Sequence, residues 1–429
     1  MQKSWFFQLE PAQKVVVIVV SFLILVSILK AGYYTRYYGG SDLRVGIVGA
    51  RMLDSGKAVY FYKWSPGEEE RLLNPKLNRD GAVNGLTAAP GVLYLFSIFA
   101  FLNYPTLRII WGIFQYLLIF YIFCYFLFQS KTSAKIRFYI LVIGGLFFFC
   151  TPIWFLHIER GQVYIFFTFL FCLLYQLYTS NNKWANYGAG AIVAVGTYCH
   201  PVFIVFLIPL VLAFNRWTVL GLISCFIPLI LHGYLHRELW QGYLTAMTYY
   251  TGFAHVVPST ISQTNFHYPT IIEGAKNLTL VKNDFICGGI TPLDMRLDLF
   301  TKINSGWFYV FLYLIVVTIV TISFRKKLLK KNPVGVILYG FLLYMIAEYI
   351  MPAPRGAYHL VQWLFPVLVF LHTPRFSTPK IVLLITGLCF INAFPFYLPL
   401  LFDIGELLLV YCLVTFIWNN ENMKEAEST

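Results

Sequence analysis

The chain has 429 residues, of which 59% are hydrophobic, 19% aromatic and 12% charged, and its mean hydropathy is +0.68. Repeated apolar runs of helical length in such a composition exclude a soluble globular protein and predict an all-α polytopic membrane protein. The formal net charge of +13 is concentrated in short segments between apolar runs, so it indicates a lipid bilayer and not a nucleic acid as the partner.

Apolar runs that predict membrane-spanning helices recur from one end of the chain to the other. An extra run, 89–103, is bracketed by Pro90 and Pro105. If the N-terminus is cytoplasmic and 89–103 does not cross, the basic loops that hold no Asp or Glu all become cytoplasmic, as the positive-inside rule requires. The sequence therefore predicts about twelve crossings of the plasma (inner) membrane, with both termini cytoplasmic, at 15–33, 106–129, 137–150, 163–179, 186–199, 201–214, 217–231, 306–323, 334–351, 359–372, 380–394 and 403–418.

This topology predicts a single integral membrane domain, 1–429, with two long outer loops at 34–105 and 232–305. The run 89–103 becomes a re-entrant or interfacial segment of the first loop, and protein must shelter such a segment, so we expect it to wall a cavity. Nearly all polar residues suited to chemistry then face the extracytoplasmic side. A transporter more often has ionisable groups near mid-membrane, where His200 is the best example here.

The first outer loop opens with a short predicted helix. Ser41 and Asp42 begin it and Gly56 ends it, while Arg44 and Arg51, seven residues apart, share one of its faces. A carboxylate at this position, flanked by arginines, can accept a proton from a hydroxyl group near a bound phosphate. The alternative is that the serine and the aspartate only cap the helix while the arginines face lipid phosphates.

A second polar stretch, His157-Ile-Glu-Arg-Gly-Gln162, lies between the third and fourth predicted crossings. Arg160 can donate several hydrogen bonds to a phosphate in a fixed fork, and Gly161 lets the backbone approach closely. Gln162 opens the next helix, and His157 is a possible supporting residue. The alternative is an arginine that extends to the membrane interface from a simple turn.

A third stretch links the ninth and tenth predicted crossings. Prolines stop the helix there, and Arg355 and His359 lie four residues apart at the start of the next helix. His359 could share or relay a proton and Arg355 could hold a phosphate, with Glu348 and Tyr358 as possible support. The alternative is an aromatic turn at the membrane interface with an incidental histidine.

Metal sites are not indicated by the sequence. It has no Cys-x-x-Cys pair and no His/Cys ligand spacing, so neither a zinc site nor a disulfide framework is supported. His232, His236 and Glu238 resemble a metal spacing, but a helix that faces head groups explains them better. Glu68 to Glu70 are interpreted as a solvated acidic run.

Four motifs, in order, resemble the GT-C glycosyltransferases, and most closely glycosyltransferase family 87. They are Gly40-Ser-Asp-Leu-Arg44 with its helix and the following Tyr60-Phe-Tyr62, the Pro90 segment, Arg160-Gly-Gln-Val163, and Tyr358-His-Leu-Val-Gln-Trp-Leu-Phe-Pro366. The resemblance spans roughly residues 15 to 372. Tyr164 stands where the family usually has Asn, and Ala357-Tyr358-His359 stands where a double histidine often occurs.

The resemblance implies a GT-C type bundle that transfers a sugar from a polyprenyl-phosphate donor to a glycolipid or glycan acceptor in the cell envelope. The resemblance to family 87 implies that this sugar is mannose. It implies an inverting mechanism with Asp42 as the general base, and neither a metal nor another cofactor is expected. Arg44, Arg160, Gln162 and Arg355 would bind the donor phosphate. A polysaccharide polymerase or ligase, and a lipid or solute transporter, are the alternatives.

Overall fold

The computed structural model describes residues 5–37, 40–74, 84–129, 132–250, 306–329, 332–350, 357–373, 378–392 and 399–419. Within these ranges the regular secondary structure is helical and includes no strand, which confirms the all-α prediction. Most of the second predicted outer loop, 251–305, lies outside the described residues, as does Arg355.

The helices of the first half cover the predicted apolar runs, and further short helices lie between those runs. In chain order they are α1 (Pro11–Tyr37), α2 (Ser41–Asp54), α3 (Pro90–Ser97), α4 (Tyr104–Leu127), α5 (Ala134–Tyr139), α6 (Gly145–Phe149), α7 (Pro152–Arg160), α8 (Tyr164–Tyr178) and α9 (Lys183–Cys199). A π-helical segment, Ile140–Gly144, joins α5 to α6.

The second half continues the pattern, with 3₁₀ segments at two helix starts. Its α-helices are α10 (Leu207–Ala213), α11 (Arg216–Leu235), α12 (Arg237–Tyr250), α13 (Gly306–Leu329), α14 (Pro333–Ile350), α15 (Leu364–His372), α16 (Thr378–Asn392) and α17 (Pro399–Asn419). The 3₁₀ segments Pro201–Phe206 and Ala357–Trp363 precede α10 and α15.

Several of these helices are suited to a membrane. Among the described residues, α1, α4, α11 and α14 are long and apolar enough to cross it, and a fifth span results if α5 to α7 count as one. That fifth span bends by 54° at the break before Pro152, where proline stops the preceding helix. In contrast α3 has only 8 residues, about 12 Å of helix, too short for a bilayer core of about 30 Å.

The chain folds into two compact units, each built from separate stretches of sequence. Unit 1 comprises Met1–Gly40, Arg108–Leu173 and Ala357–Thr429, and unit 2 comprises Ser41–Leu107 and Leu174–Gly356. In unit 1, the residues Leu364–Leu371 of α15 are all buried, as expected of a central helix that is apolar on every side. In unit 2, α14 is buried along most of its length and has the same central role.

Close helix packing in unit 2 depends on two glycines. A β-carbon added to Gly190 on α9 would lie 2.0 Å from the carbonyl oxygen of Thr218 on α11. One added to Gly221 on α11 would lie 1.9 Å from the carbonyl oxygen of Tyr187 on α9. The two backbones therefore meet without side chains between them, the packing that small residues allow in membrane helices.

We expect Gly221→Ala to destabilise the protein, because the added methyl group forces the backbones of α9 and α11 apart. Overpacking of this kind typically costs about 1–3 kcal/mol, and Gly190→Ala should behave similarly. The measurement is the thermal unfolding midpoint in detergent. Gly32→Ala on α1 is the matched control, since a β-carbon there meets nothing within 4 Å. Equal midpoints for the three variants would contradict the close packing.

Candidate functional site

The Arg160 motif forms the C-terminal end of α7. His157 to Arg160 make its last turn, and Gly161 follows in the left-handed conformation, with φ of +69°. The Gly161 and Gln162 amides donate to the carbonyl oxygens of Ile158 and His157 over 3.1 Å each. This geometry is a glycine-based helix cap, which turns the chain sharply after Arg160 and into α8.

A row of buried side chains on α4 holds this turn from the other side. Arg108 donates to the carbonyl oxygens of Ile158 (3.0 Å) and Glu159 (2.5 Å). The Trp111 indole donates to the Gly161 carbonyl over 3.0 Å. The donors lie on one face of α4 because positions three and seven residues apart coincide on a helix. Another helix thus supplies further donors to carbonyl groups at the end of α7 and in the turn that follows it.

Gln115 extends the same face of α4 by one turn. Its side-chain amide donates to the Gln162 carbonyl over 2.5 Å and lies 3.4 Å from Nδ1 of His157. The Gly40 amide donates to the Glu159 carbonyl over 2.8 Å. The backbone of the turn is therefore bound by α4 and by Gly40. These bonds fix the position of the Arg160 backbone, from which the half-buried side chain extends.

The contacts of His157 indicate a structural role. Its side chain is fully buried, and its ring stacks on Trp154 with centroids 5.4 Å apart and an interplanar angle of 5°. The Ile165 amide donates to Nε2 over 3.1 Å, so that nitrogen carries no proton and the imidazole is neutral. His157 therefore connects the end of α7 to the start of α8 and supports the turn by packing.

The Arg160 side chain lies against one ring of an aromatic cluster. Its guanidinium lies 5.5 Å from the centre of the Tyr358 ring, a cation–π distance. The Tyr164 ring lies 3.8 Å from His359 and 5.7 Å from Tyr358. His359 is 4% exposed, whereas both tyrosines are partly exposed. Tyr164, where the resembled family has Asn, therefore packs directly against the predicted proton-sharing histidine.

The 3₁₀ segment that carries Tyr358 and His359 is anchored at its other end. Trp363 donates from its indole nitrogen to Glu406 on α17 over 3.1 Å. Glu406 is 0% exposed. A buried polar group left without its partner is costly, so this hydrogen bond holds the segment against α17.

Asp42 and Arg44 belong to unit 2 and lie in the first turn of α2, which starts at Ser41 as predicted and ends at Asp54, two residues before Gly56. Arg44 is 8% exposed, and its Nε donates to the Asn74 side chain over 3.0 Å. The Asp42 side chain is partly exposed. The Asp42 side chain is therefore partly accessible, whereas the Arg44 side chain is enclosed within unit 2.

Arg51 organises the remainder of the first loop. It is 8% exposed and donates to three carbonyl oxygens, those of Ala100 (2.9 Å), Arg71 (2.7 Å) and Leu102 (2.6 Å). Burial lowers its pKa, with a smaller contribution from the Arg71 charge. The alternative in which Arg44 and Arg51 face lipid phosphates is wrong, because both guanidinium groups are used inside unit 2.

Glu68 also has a specific role, contrary to the interpretation of residues 68–70 as a solvated run. Its carboxylate accepts hydrogen bonds from the Tyr62 hydroxyl (2.8 Å) and the Ser65 amide (3.0 Å), and Lys57 lies 3.5 Å away. The Ser65 amide, then the Tyr62 hydroxyl, lower the pKa of Glu68. Glu68 therefore closes the loop that follows α2.

His200 and Glu348 form a pair in unit 2 that the sequence did not reveal. Their side chains are 3.5 Å apart, at 19% and 9% exposure. His200 lies at the break between α9 and the segment that begins at Pro201, and Glu348 lies near the end of α14. Glu348 thus has a partner in its own unit. The prediction that it supports a phosphate site remains open.

The predicted residues are therefore distributed over both units. Unit 1 brings together His157, Arg160, Gln162, Tyr358 and His359, while Asp42, Arg44 and Glu348 belong to unit 2. Among the described residues no three His, Cys, Asp or Glu side chains form a metal-binding group. The expected independence of metal remains a prediction.

The sequence did not identify Arg108, Trp111 and Gln115. One signal for them existed, since three hydrogen-bonding side chains on one face of an apolar helix are costly in a membrane unless they have buried partners. Their burial, at 4%, 1% and 0% exposure, shows that they point into the protein. Their carbonyl partners are backbone atoms and could not be read from residue types.

Comparisons of the chain with family models, with curated proteins and with solved structures give no match. The resemblance to the GT-C glycosyltransferases therefore depends on the four sequence motifs and their order.

We expect Trp111→Phe to destabilise unit 1 while it preserves an aromatic ring in the core. The Gly161 carbonyl loses its indole donor, and an unsatisfied buried group costs about 1–3 kcal/mol. The unfolding midpoint in detergent should fall. Trp418→Phe is the control, because Trp418 is 49% exposed and also belongs to unit 1. A fall of equal size in the control would show that the hydrogen bond contributes nothing specific.

We expect Glu68→Gln to remove a pH-dependent contribution to the order of the first loop. Because the folded pKa of Glu68 is depressed, its contribution is present above the ordinary pKa of about 4.3 and is lost as the pH falls through the folded value. Amide exchange protection at residues 57–74, measured between about pH 3 and pH 6, should drop in acid for the native chain only. Glu70→Gln, an exposed neighbour, should retain the native profile.

Proposed function

We propose that the protein is an integral membrane glycosyltransferase of the GT-C type. It transfers a sugar, mannose by the resemblance to family 87, from a polyprenyl-phosphate donor to a glycolipid or glycan acceptor on the extracytoplasmic side, within a bundle of about twelve crossings. The observation that carries the proposal is the turn after α7, whose backbone is held by Arg108, Trp111 and Gln115 so that Arg160 is presented beside Tyr358.

Arg160 is suited to the donor phosphate. A guanidinium stacked on an aromatic ring keeps its N–H groups in a plane and remains charged, which matches the geometry of a phosphate. A fixed charge acts most strongly in a transition state when it needs no reorganisation. In this mechanism Arg160, with the Gln162 region and Arg355, stabilises the negative charge that develops on the leaving phosphate.

Asp42 is the proposed general base. It takes the proton from an acceptor hydroxyl, whose oxygen attacks the anomeric carbon on the face opposite the phosphate. The new glycosidic bond forms as the bond to the phosphate breaks, which inverts the configuration. His359 shares or relays the proton. The predicted role of Arg44 as a ligand of the donor phosphate is left out of this mechanism, because Arg44 is 8% exposed and donates to Asn74. Partial exposure of Asp42 in the first turn of α2 supports its role as the base.

The first test is transfer by purified protein from polyprenyl-phosphate mannose to a panel of glycolipids. Asp42→Asn should reduce the rate by about 10²–10⁴-fold, the usual contribution of a general base, without loss of expression. Transfer should survive EDTA. Asp54→Asn is a matched control, since Asp54 lies in the same helix at its opposite end and is exposed. Full activity in Asp42→Asn would overturn the mechanism.

A proton-coupled lipid or solute transporter is the second candidate. The observation in its favour is the largely enclosed His200–Glu348 pair, because ionisable pairs inside apolar bundles often mark proton or substrate pathways. Uptake into proteoliposomes separates the two functions. Transport that is lost in Glu348→Gln and retained in Asp42→Asn, with no sugar transfer and no donor binding, would favour the transporter.

A further inference from the structure

Two helices of unit 2 begin in the same way. The sequence Asn182-Lys183-Trp184 starts α9, and Asn215-Arg216-Trp217 starts α11. In each case the asparagine side chain accepts a hydrogen bond from the backbone amide of the tryptophan, over 2.8 and 3.0 Å. Both helices therefore have the same N-terminal cap, followed by a basic residue and an indole.

The structure brings these two starts together. The Trp184 and Trp217 rings lie 6.4 Å apart. Lys183 Nζ lies 5.8 Å from the centre of the first ring and 5.7 Å from the second, and the Arg216 guanidinium lies 5.4 Å from the second ring. Two cations thus share the Trp217 indole. Lys183, Trp184 and Arg216 are all exposed.

The charge of this cluster is not balanced by the described residues around it. Within the part of the chain that the structure describes, neither Lys183 nor Arg216 has a carboxylate within ion-pair distance. The indole faces attract both cations, but they supply no net negative charge. The N-terminal ends of α9 and α11 add partial charges of the same positive sign. A neighbouring anion would therefore stabilise the cluster.

The position of α11 indicates which anion is available. This helix is long and apolar enough to cross a membrane, and Arg216 is its first residue. The end of a crossing helix lies at the level of the lipid head groups, where tryptophans are enriched. At that level, lipid phosphates are the abundant anions, and acidic lipids attract clustered basic side chains.

We propose that Lys183, Trp184, Arg216 and Trp217 form a binding site for the head group of an acidic phospholipid. The lysine and the arginine bind the phosphate, and the two indoles pack against the glycerol region and the first methylene groups. The site uses none of the residues assigned to the proposed sugar transfer. It requires no particular orientation of the chain in the membrane.

The test uses the full-length protein in nanodiscs of POPC or of an equimolar POPC and POPG mixture. We expect POPG to raise the unfolding midpoint of the native chain by a few degrees, and added salt to reduce the rise. The double variant Lys183→Gln with Arg216→Gln should lose the rise. Lys135→Gln is the matched control, because Lys135 also lies over an aromatic ring, 6.0 Å from the centre of Tyr139. Lys135 is not part of the cluster, so this variant should keep the rise.

Two results would overturn the proposal. One is the same POPG-dependent rise in the double glutamine variant as in the native chain. The other is a loss of the rise in Lys135→Gln as large as the loss in the double glutamine variant. That result would indicate attraction of POPG by the overall positive charge. The exchanged variant Lys183→Arg with Arg216→Lys provides a second check if the glutamine variant folds poorly. It keeps both charges and should retain the rise, whereas its loss would contradict the proposal.

Discussion

The buried hydrogen bonds from α4 to the end of α7 are the constraint on which unit 1 depends. A helix end leaves carbonyl groups without partners, and in an apolar environment each unsatisfied group is costly. Arg108, Trp111 and Gln115 supply those partners from one face of α4. Any displacement of the Arg160 turn would break several of these bonds together. The turn is therefore rigid, as a binding site for a defined anion requires.

In unit 2, polar groups in apolar surroundings also have partners. Arginines are enclosed and hydrogen-bonded, and ionisable residues are paired. Arg51 donates to three carbonyl oxygens of its own loop, and Glu348 lies beside His200. Direct backbone contact at Gly190 and Gly221 brings α9 and α11 together. That contact also places the two basic residues at the helix starts close to one another, so a packing feature creates a region of concentrated positive charge.

Sequence reasoning was most successful where a single physical property sufficed. Long apolar runs indicated the helices, since apolar length alone decides whether a segment suits a membrane. Ser41 and Asp42 marked the start of α2, because the residue preferences of a helix start are local. It was less successful for Arg44 and Arg51, whose partners lie 20 to 51 residues away along the chain. The sequence does not show whether a charged residue is exposed or buried.

The sequence by itself determined that the protein is all-helical and suited to a membrane, and it identified the residue types able to bind a phosphate or move a proton. Only the tertiary structure decided that Tyr164 packs on His359, that His200 pairs with Glu348, and that Lys183 and Arg216 share one indole. Hydrophobic periodicity is encoded over neighbouring residues, whereas these contacts join residues far apart in the chain. Their distances depend on how whole helices pack, which no local pattern specifies.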